Sequence, residues 1–259
     1  MPPRVLILRA PGINCDHETQ FAFQQAGGIA QSLYVEQLLT RPQSLEDYQV
    51  LCFPGGFCYG DDLGAGRILA NKIKVRLTEA LCEFRDAGKL ILGICNGFQA
   101  LLQTGLLLAE GVAGPSATLT FNQSGHFEDR WVLLGAQKNN RCVFLSEVDE
   151  MYLPVAHAEG QFVVRDPQEF QRLEAAGQLV LRYLPARGDR TQQAGYPDNP
   201  NGSMGGVAGV CDMTGRVFGL MPHPERFVDP THHPRWTRYT EPCERDGLNV
   251  FQNAVNYFR

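Results

Sequence analysis

The chain has 259 residues, with 28 acidic against 23 basic side chains and 8 cysteines. A chain this long buries roughly 70 to 75% of its unfolded surface, in one large domain or two small ones. The mild acidity leaves no basic stripe for nucleic acid and no polybasic segment for a membrane surface, which points to a small diffusible substrate or a protein partner. The cysteines are scattered with no CxxC pair, and the apolar run in MPPRVLIL is too short for a signal peptide or a membrane span. Reduced thiols in a cytoplasmic protein are expected.

Val5 to Leu8 is a short apolar run that predicts a first strand. A polar Gly-Asn loop follows, then a helix over Asp16 to Ala26 with Asp16 as its N-cap. Ile29 to Val35 and Val50 to Phe53 predict two more strands, and Ile68 to Ala87 a helix that Gly88 closes before the next strand. Strands alternating with helices imply an α/β fold with a parallel sheet. In such sheets ligands sit outside the carboxyl ends of strands, where both the loop Pro54 to Asp62 and the turn at Cys95 fall.

The second half is richer in strands: Trp131 to Ala136, Tyr152 to Ala156, Phe162 to Val164, Leu179 to Leu184, Val207 to Cys211 and Val217 to Leu220. Pro167 opens a short helix that ends at Gly177. Gly188 to Gly206 and Val228 to Gly247 read as two long loops, of a length uncommon without a function, and a final amphipathic helix follows. No internal repeat, low-complexity tract or interdomain linker interrupts the chain, so a single domain over residues 1–259 is expected.

The richest stretch is Lys89 to Leu102, KLILGICNGFQALL, where an apolar run stops at Gly93-Ile94-Cys95-Asn96-Gly97 and helix-forming residues follow at once. This is a nucleophile elbow carrying sulfur. A sharp strand-to-helix turn strains the central residue and crowds its neighbours, and glycine relieves the crowding. The turn leaves Cys95 at a helix N-terminus, whose partial positive charge favours a thiolate. Gly55-Gly56 in PGGF follows a buried strand and can turn amide groups into the same crevice, as an oxyanion hole requires.

A thiolate nucleophile needs a base, and His223 in GLMPHPERF is the best candidate among six histidines. Two flanking prolines restrict it, and Glu225, two residues on, reaches the same side of an extended segment to orient the imidazole. His126 in SGHFEDRW and His157 in VAHAEGQF are rival bases on sequence grounds alone. His232 and His233, in a Pro-rich loop, are expected to be solvated, and Cys15 in GINCDHE is a second, lower-ranked nucleophile because it lacks an elbow. No Cys/His pair has the short spacing of a zinc site, so no metal is expected. No P-loop or dinucleotide-binding glycine pattern is present, so no ATP site is assigned to this chain.

PGGF, GICNG and HPE, in that order, resemble the class I (triad) glutamine amidotransferases. The resemblance implies a flavodoxin-like α/β fold, a mostly parallel sheet with helices on both faces, here with extra strands and long loops. It implies that Cys95 attacks the glutamine amide, releasing ammonia and leaving a glutamyl thioester that water hydrolyses. By resemblance His223 is base and acid, Glu225 its orienter, and Gly56 with the Asn96 amide the oxyanion hole. Gly55, Gln99 and the HAEG residues His157, Glu159 and Gly160 are expected near the bound glutamine.

FCYGDDLGAGRI, SGHFEDRW, PVAHAEGQF, YPDNPNGS and FGLMPHPERF further resemble the glutaminase subunits of phosphoribosylformylglycinamidine synthase, across nearly the whole chain. That resemblance implies a large ATP-dependent synthetase partner, usually a small third subunit, and ATP with magnesium held by the partner, this chain binding no cofactor. Cys58 stands where serine is expected in that family, and the loop after Arg226 is long. An amidotransferase subunit of another synthetase, a cysteine hydrolase or peptidase on the same scaffold, and a catalytically silent module are the alternatives. The complete Cys95, His223 and Glu225 set argues against the last.

Overall fold

A computed structural model describes residues 1–108, 115–238 and 246–259. Apolar runs without alternation make strands buried on both faces, as the interior of a parallel sheet demands. Hence β1 (Arg4–Arg9), β3 (Val50–Phe53), β4 (Leu90–Ile94) and β11 (Val217–Leu220) are buried almost throughout. β2 (Ile29–Tyr34), half polar, takes the edge.

One nine-stranded sheet runs β2-β1-β3-β4-β11-β10-β9-β6-β7, where β10 is Val207–Cys211, β9 Leu181–Leu184, β6 Glu128–Ala136 and β7 Glu150–His157. The first five strands are mutually parallel and the remaining pairings antiparallel. Gly93 of β4 lies opposite Phe53 of β3 on one side and Gly219 of β11 on the other. The residues that follow these three strands therefore emerge side by side. A second, two-stranded sheet pairs β5 (Ala117–Thr120) with β8 (Gln161–Val164).

The helix α1 (Asp16–Gln25) packs on β1 and β2 and against α7 (Asp246–Asn256), with Phe23 and Phe251 edge to face at 4.9 Å. α5 (Asn96–Thr104) lies on β3, β4 and β11 beside α3 (Arg67–Arg76). The closeness of α5 to the sheet explains two glycines. A Cβ on Gly219 would fall 2.1 Å from Phe98 Cδ2, and one on Gly97 would fall 1.9 Å from the Phe53 carbonyl oxygen.

The helix expected over 68–87 is two helices, α3 and α4 (Thr78–Asp86), broken at Leu77. The Thr78 hydroxyl takes the Lys74 carbonyl at 3.0 Å, competing with the backbone ladder there. Asp16 does not cap α1: Cys15 holds the N-cap position, and Asp16 is buried in an ion pair with Arg9 Nε at 2.7 Å. The second strand stops at Tyr34 because Val35 already begins a short helix, α2 (Val35–Thr40), burying Val35 and Leu38. α6 (Pro167–Ala175) is capped by Asp166, which accepts from Glu169 N at 2.9 Å. The long loop 188–206 stays largely irregular, and 228–238 forms two single 3-10 turns; the rest of that loop up to 245 lies outside the described residues, and α7 begins at Asp246. No helix among the described residues is long and apolar enough to cross a membrane.

Candidate active site

Cys95 joins β4 to α5 with φ at +51°, a region a side-chain-bearing residue occupies only under constraint. Its N–H bonds Leu220 O at 2.8 Å and its carbonyl accepts from Gln99 N at 3.0 Å, so the turn is pinned to β11 on one side and to its own helix on the other. The sulfur lies 3.9 Å from Ala156 O, at the first turn of α5. The Gly55-Gly56 turn leaves the neighbouring strand β3. Gly56, at φ +144°, forms a bridge with Ile13, and a Cβ there would meet the Ile13 Cα at 2.7 Å. Its own N–H has no acceptor among the described residues.

His223 follows β11, the other neighbour of β4. Its N–H bonds Pro154 O at 2.8 Å, and its Nδ1 meets Glu225 Oε1 at 2.6 Å, both side chains being fully enclosed. Burial, the largest single influence, pushes the imidazole down, but the Glu225 carboxylate and the Cys95 and Cys15 sulfurs together outweigh it and hold His223 well above the usual histidine range. The other ring nitrogen, Nε2, has no hydrogen-bond partner among the described residues.

A buried polar layer backs this centre. Asn122 Oδ1 accepts from Gly160 N at 3.0 Å and faces His157 Nδ1 at 3.1 Å, while its Nδ2 donates to His126 O and His157 O. Asn201 Nδ2 donates to Gly160 O at 2.7 Å and to the Tyr183 hydroxyl at 3.1 Å; Ser203 Oγ accepts from Phe162 N at 2.9 Å. Since Asn122 Oδ1 is an acceptor already, His157 carries its proton on Nδ1. Burial, with the charge of His223 nearby, lowers His157 to about 3. The motifs around 122, 157 and 201, far apart in sequence, thus form one network.

The sequence profile of the CobB/CobQ-like glutamine amidotransferase domain matches residues 2–258. The chain belongs to that family. It is 46% identical over 256 residues to the phosphoribosylformylglycinamidine synthase subunit PurQ of Dehalococcoides mccartyi, covering 99% of this chain and 98% of that one. To the PurQ subunit of Methanococcus maripaludis strain S2 it is 40% identical over 268 residues, covering 99% and 97%. A chain in the structure of PurLQS from Thermotoga maritima superposes with a TM-score of 0.75 at 33% identity, over 100% of both chains. A further glutamine amidotransferase from Thermotoga maritima, 18% identical with a TM-score of 0.55, shares the fold.

In this amidotransferase the fold brings Gly55, Gly56, Cys95, Asn96, His223 and Glu225 to the ends of three adjacent strands. Several of the residues expected near glutamine are committed within the protein: Gln99 Nε2 donates to Glu159 O, Asn96 Nδ2 to Gln99 Oε1 at 3.0 Å, and His157 and Gly160 belong to the Asn122 network. Glu159 is half-buried, with Oε2 accepting from Ala65 N at 3.3 Å. His126 is exposed. His233, expected in solvent, is instead buried against Trp131 and stacked near Tyr152 and Phe227, because that aromatic cluster gives an imidazole apolar faces to cover.

Sequence reasoning missed Asn122, Arg226 and Asp61. Asp61, at φ +52°, accepts from Asn96 Nδ2 at 2.9 Å, and desolvation raises its carboxyl. Cys58 is buried; its N–H bonds Asn96 Oδ1 at 3.0 Å, and burial, with Asp61 nearby, pushes its thiol up to about 12. Among the described residues one group, Cys15, His223 and Glu225, has metal-ligating atoms within 4.8 Å of one another. Arg226 Nη2 already donates to Cys15 Sγ at 3.2 Å, so a positive charge occupies that position. The seven described cysteines are all free thiols.

Proposed function

We propose that this chain, as one domain over residues 1–259, is the glutaminase subunit of a phosphoribosylformylglycinamidine synthase. It hydrolyses glutamine to glutamate and ammonia in the cytoplasm. A large ATP-dependent synthetase partner, assembled with a small third subunit, uses the ammonia to convert formylglycinamide ribonucleotide to formylglycinamidine ribonucleotide in purine synthesis. ATP and magnesium belong to the partner. The observation that carries the reading is the convergence, on the ends of β3, β4 and β11, of a glycine amide with no acceptor among the described residues, an elbow thiol, and an imidazole bonded to a buried carboxylate.

The Cys95 proton passes to His223, which Glu225 holds in one tautomer and stabilises as imidazolium. The sulfur bonds to the carboxamide carbon, and the carbonyl oxygen takes the negative charge against the Gly56 and Asn96 amides, where losing one donor costs roughly 2.7 to 4 kcal/mol. The C–N bond breaks as His223 returns its proton to nitrogen, releasing ammonia and a glutamyl thioester. Water, deprotonated by His223, then attacks the thioester; the C–S bond breaks and Cys95 recovers its proton. Gly55, Gln99, His157, Glu159 and Gly160 shape the glutamine pocket, Glu159 alone among them offering a half-exposed carboxylate to the substrate ammonium.

A glutamine-like electrophile tests the assignment. One covalent label at Cys95 is expected, with Cys95→Ala abolishing glutamine-dependent but not ammonia-dependent product formation by the assembled complex. Labelling mainly at Cys15, or equal loss of both activities, refutes it.

A further inference from the structure

Cys15 plays no part in the reaction above, yet it sits against its base. The Sγ, a His223 ring nitrogen and a Glu225 carboxylate oxygen lie within 4.8 Å of one another. The Cys15 N–H bonds Gly55 O at 3.2 Å, and a Cβ on Gly55 would fall 2.8 Å from His223 Cε1 and 3.2 Å from Cys15 Sγ. The thiol is therefore walled in, between the oxyanion turn and the imidazole.

Glu225 has two cationic neighbours and one fully buried carboxylate to offer them. His223 Nδ1 holds Oε1 at 2.6 Å; the Arg226 Nε stands at 3.9 Å from the same oxygen. Arginine and carboxylate readily close into a bidentate pair, stronger than a single neutral hydrogen bond. Here that bidentate closure is absent, and Arg226 Nη2 instead donates to Cys15 Sγ at 3.2 Å. Burial raises the Cys15 thiol, so the group stays neutral, its S–H facing Asn14 Oδ1 at 3.3 Å and its lone pairs turned to the guanidinium.

We propose that Cys15 is a positioning residue: its sulfur takes an N–H of Arg226, keeps the guanidinium from closing on Glu225, and so reserves that carboxylate for His223. The inference rests on His223 and Glu225 being base and orienter. Without the sulfur, Arg226 swings onto Glu225 and neutralises it with a permanent cation. His223 then loses the partner that fixes its tautomer and favours its protonated form. The groups acting on His223 are Glu225, Cys95, Cys15 and, on β7, His157; Arg226 acts on Glu225, Cys15 and Cys95, and Cys52 is close enough to feel the Glu225 charge.

The test uses the assembled synthase and glutamine hydrolysis across pH. In Cys15→Ala, kcat is expected to fall about tenfold, the equivalent of one unit in the His223 pKa, with KM within about twofold and the alkaline limb of the profile moved to lower pH. Cys15→Ser, which keeps an acceptor, should stay near wild type. Adding Arg226→Gln to Cys15→Ala should restore most of the lost kcat and return the alkaline limb. A double variant as slow as Cys15→Ala or slower, or an unshifted limb, overturns the proposal. If the alanine variant does not fold, Cys15→Val against Cys15→Ser carries the same contrast, as does rescue of the valine variant by Arg226→Gln. Failure of the glutaminase reading itself would look different: the wild-type complex would then show no Cys95-dependent hydrolysis at all.

Discussion

His157 is a buried, neutral base, and acid should act on the fold through it. Its folded value is about 3 against 6.5 in the unfolded chain, burial being the main cause. As pH falls through 6.5 the unfolded chain binds a proton that the folded chain refuses, so stability falls as pH falls, and it is fully present only well above 6.5. Each pH unit well inside that window is worth about 1.4 kcal/mol, and moving from pH 6.5, where the unfolded group is already half protonated, to 4.5 should remove about 2.3 kcal/mol. His223 acts in the opposite sense: its folded value is raised, so its contribution is present below 6.5 and is lost only as pH rises. The assay is urea unfolding at half-unit steps, comparing wild type with His157→Asn, whose amide can occupy the Nδ1 position and bond Asn122 Oδ1. The variant should lose the extra slope while sharing every contribution from surface carboxylates. Parallel stability curves for the two proteins would mean that His157 titrates alike in both states, and would refute the reasoning.

Gly97→Ala should fail to give stably folded protein, or lower Tm steeply, since its Cβ would sit 1.9 Å from a backbone oxygen that has no rotamer to change; a wild-type melting curve would contradict the packing of α5 on β3. Asn122→Ala strips partners from Gly160 N, His157 Nδ1 and two carbonyls, and with about 1 to 3 kcal/mol for a buried group left unsatisfied it should destabilise by about 3 kcal/mol in urea titration and raise the KM for glutamine more than it lowers kcat. His223→Ala should be nearly as slow as Cys95→Ala, Glu225→Gln less so, and a double-mutant cycle between Cys95 and His223 strongly non-additive; additive losses would mean that the two share no step.

The elbow was legible in the sequence because its constraints are local: glycines flank one cysteine where an apolar run meets a helix, and the close approach of α5 to β3 demands them. His223 and Glu225 were legible for a similar reason, two prolines and a two-residue spacing. Contacts between distant segments were not. The Arg226–Cys15 pair joins the two ends of the chain, and nothing near either residue announces it. Asn122 sits in a loop without periodicity, yet ties two separately recognisable motifs together, at His126 and at His157 to Gly160. The break at Leu77, beside which the Thr78 hydroxyl takes the Lys74 carbonyl, leaves no mark in the apolar pattern of 68–87. His233 was misjudged because its prolines suggested exposure, while the rings that bury it come from residues 131, 152 and 227.

The placing of β11 between β4 and β10 bears on how the protein is made. As the chain leaves the ribosome, the strand carrying Cys95 is complete long before the segment Val217 to Leu220 exists. Until then β4, wholly apolar, is an unpaired edge, the kind of surface that recruits other chains. When β11 arrives it covers that edge, pins the Cys95 amide through Leu220 and delivers His223 in the same motion. On the mechanism proposed above, a nascent or truncated chain ending before Val217 holds the thiol without its base: it is prone to aggregate, yet unable to release ammonia where no synthetase waits to receive it.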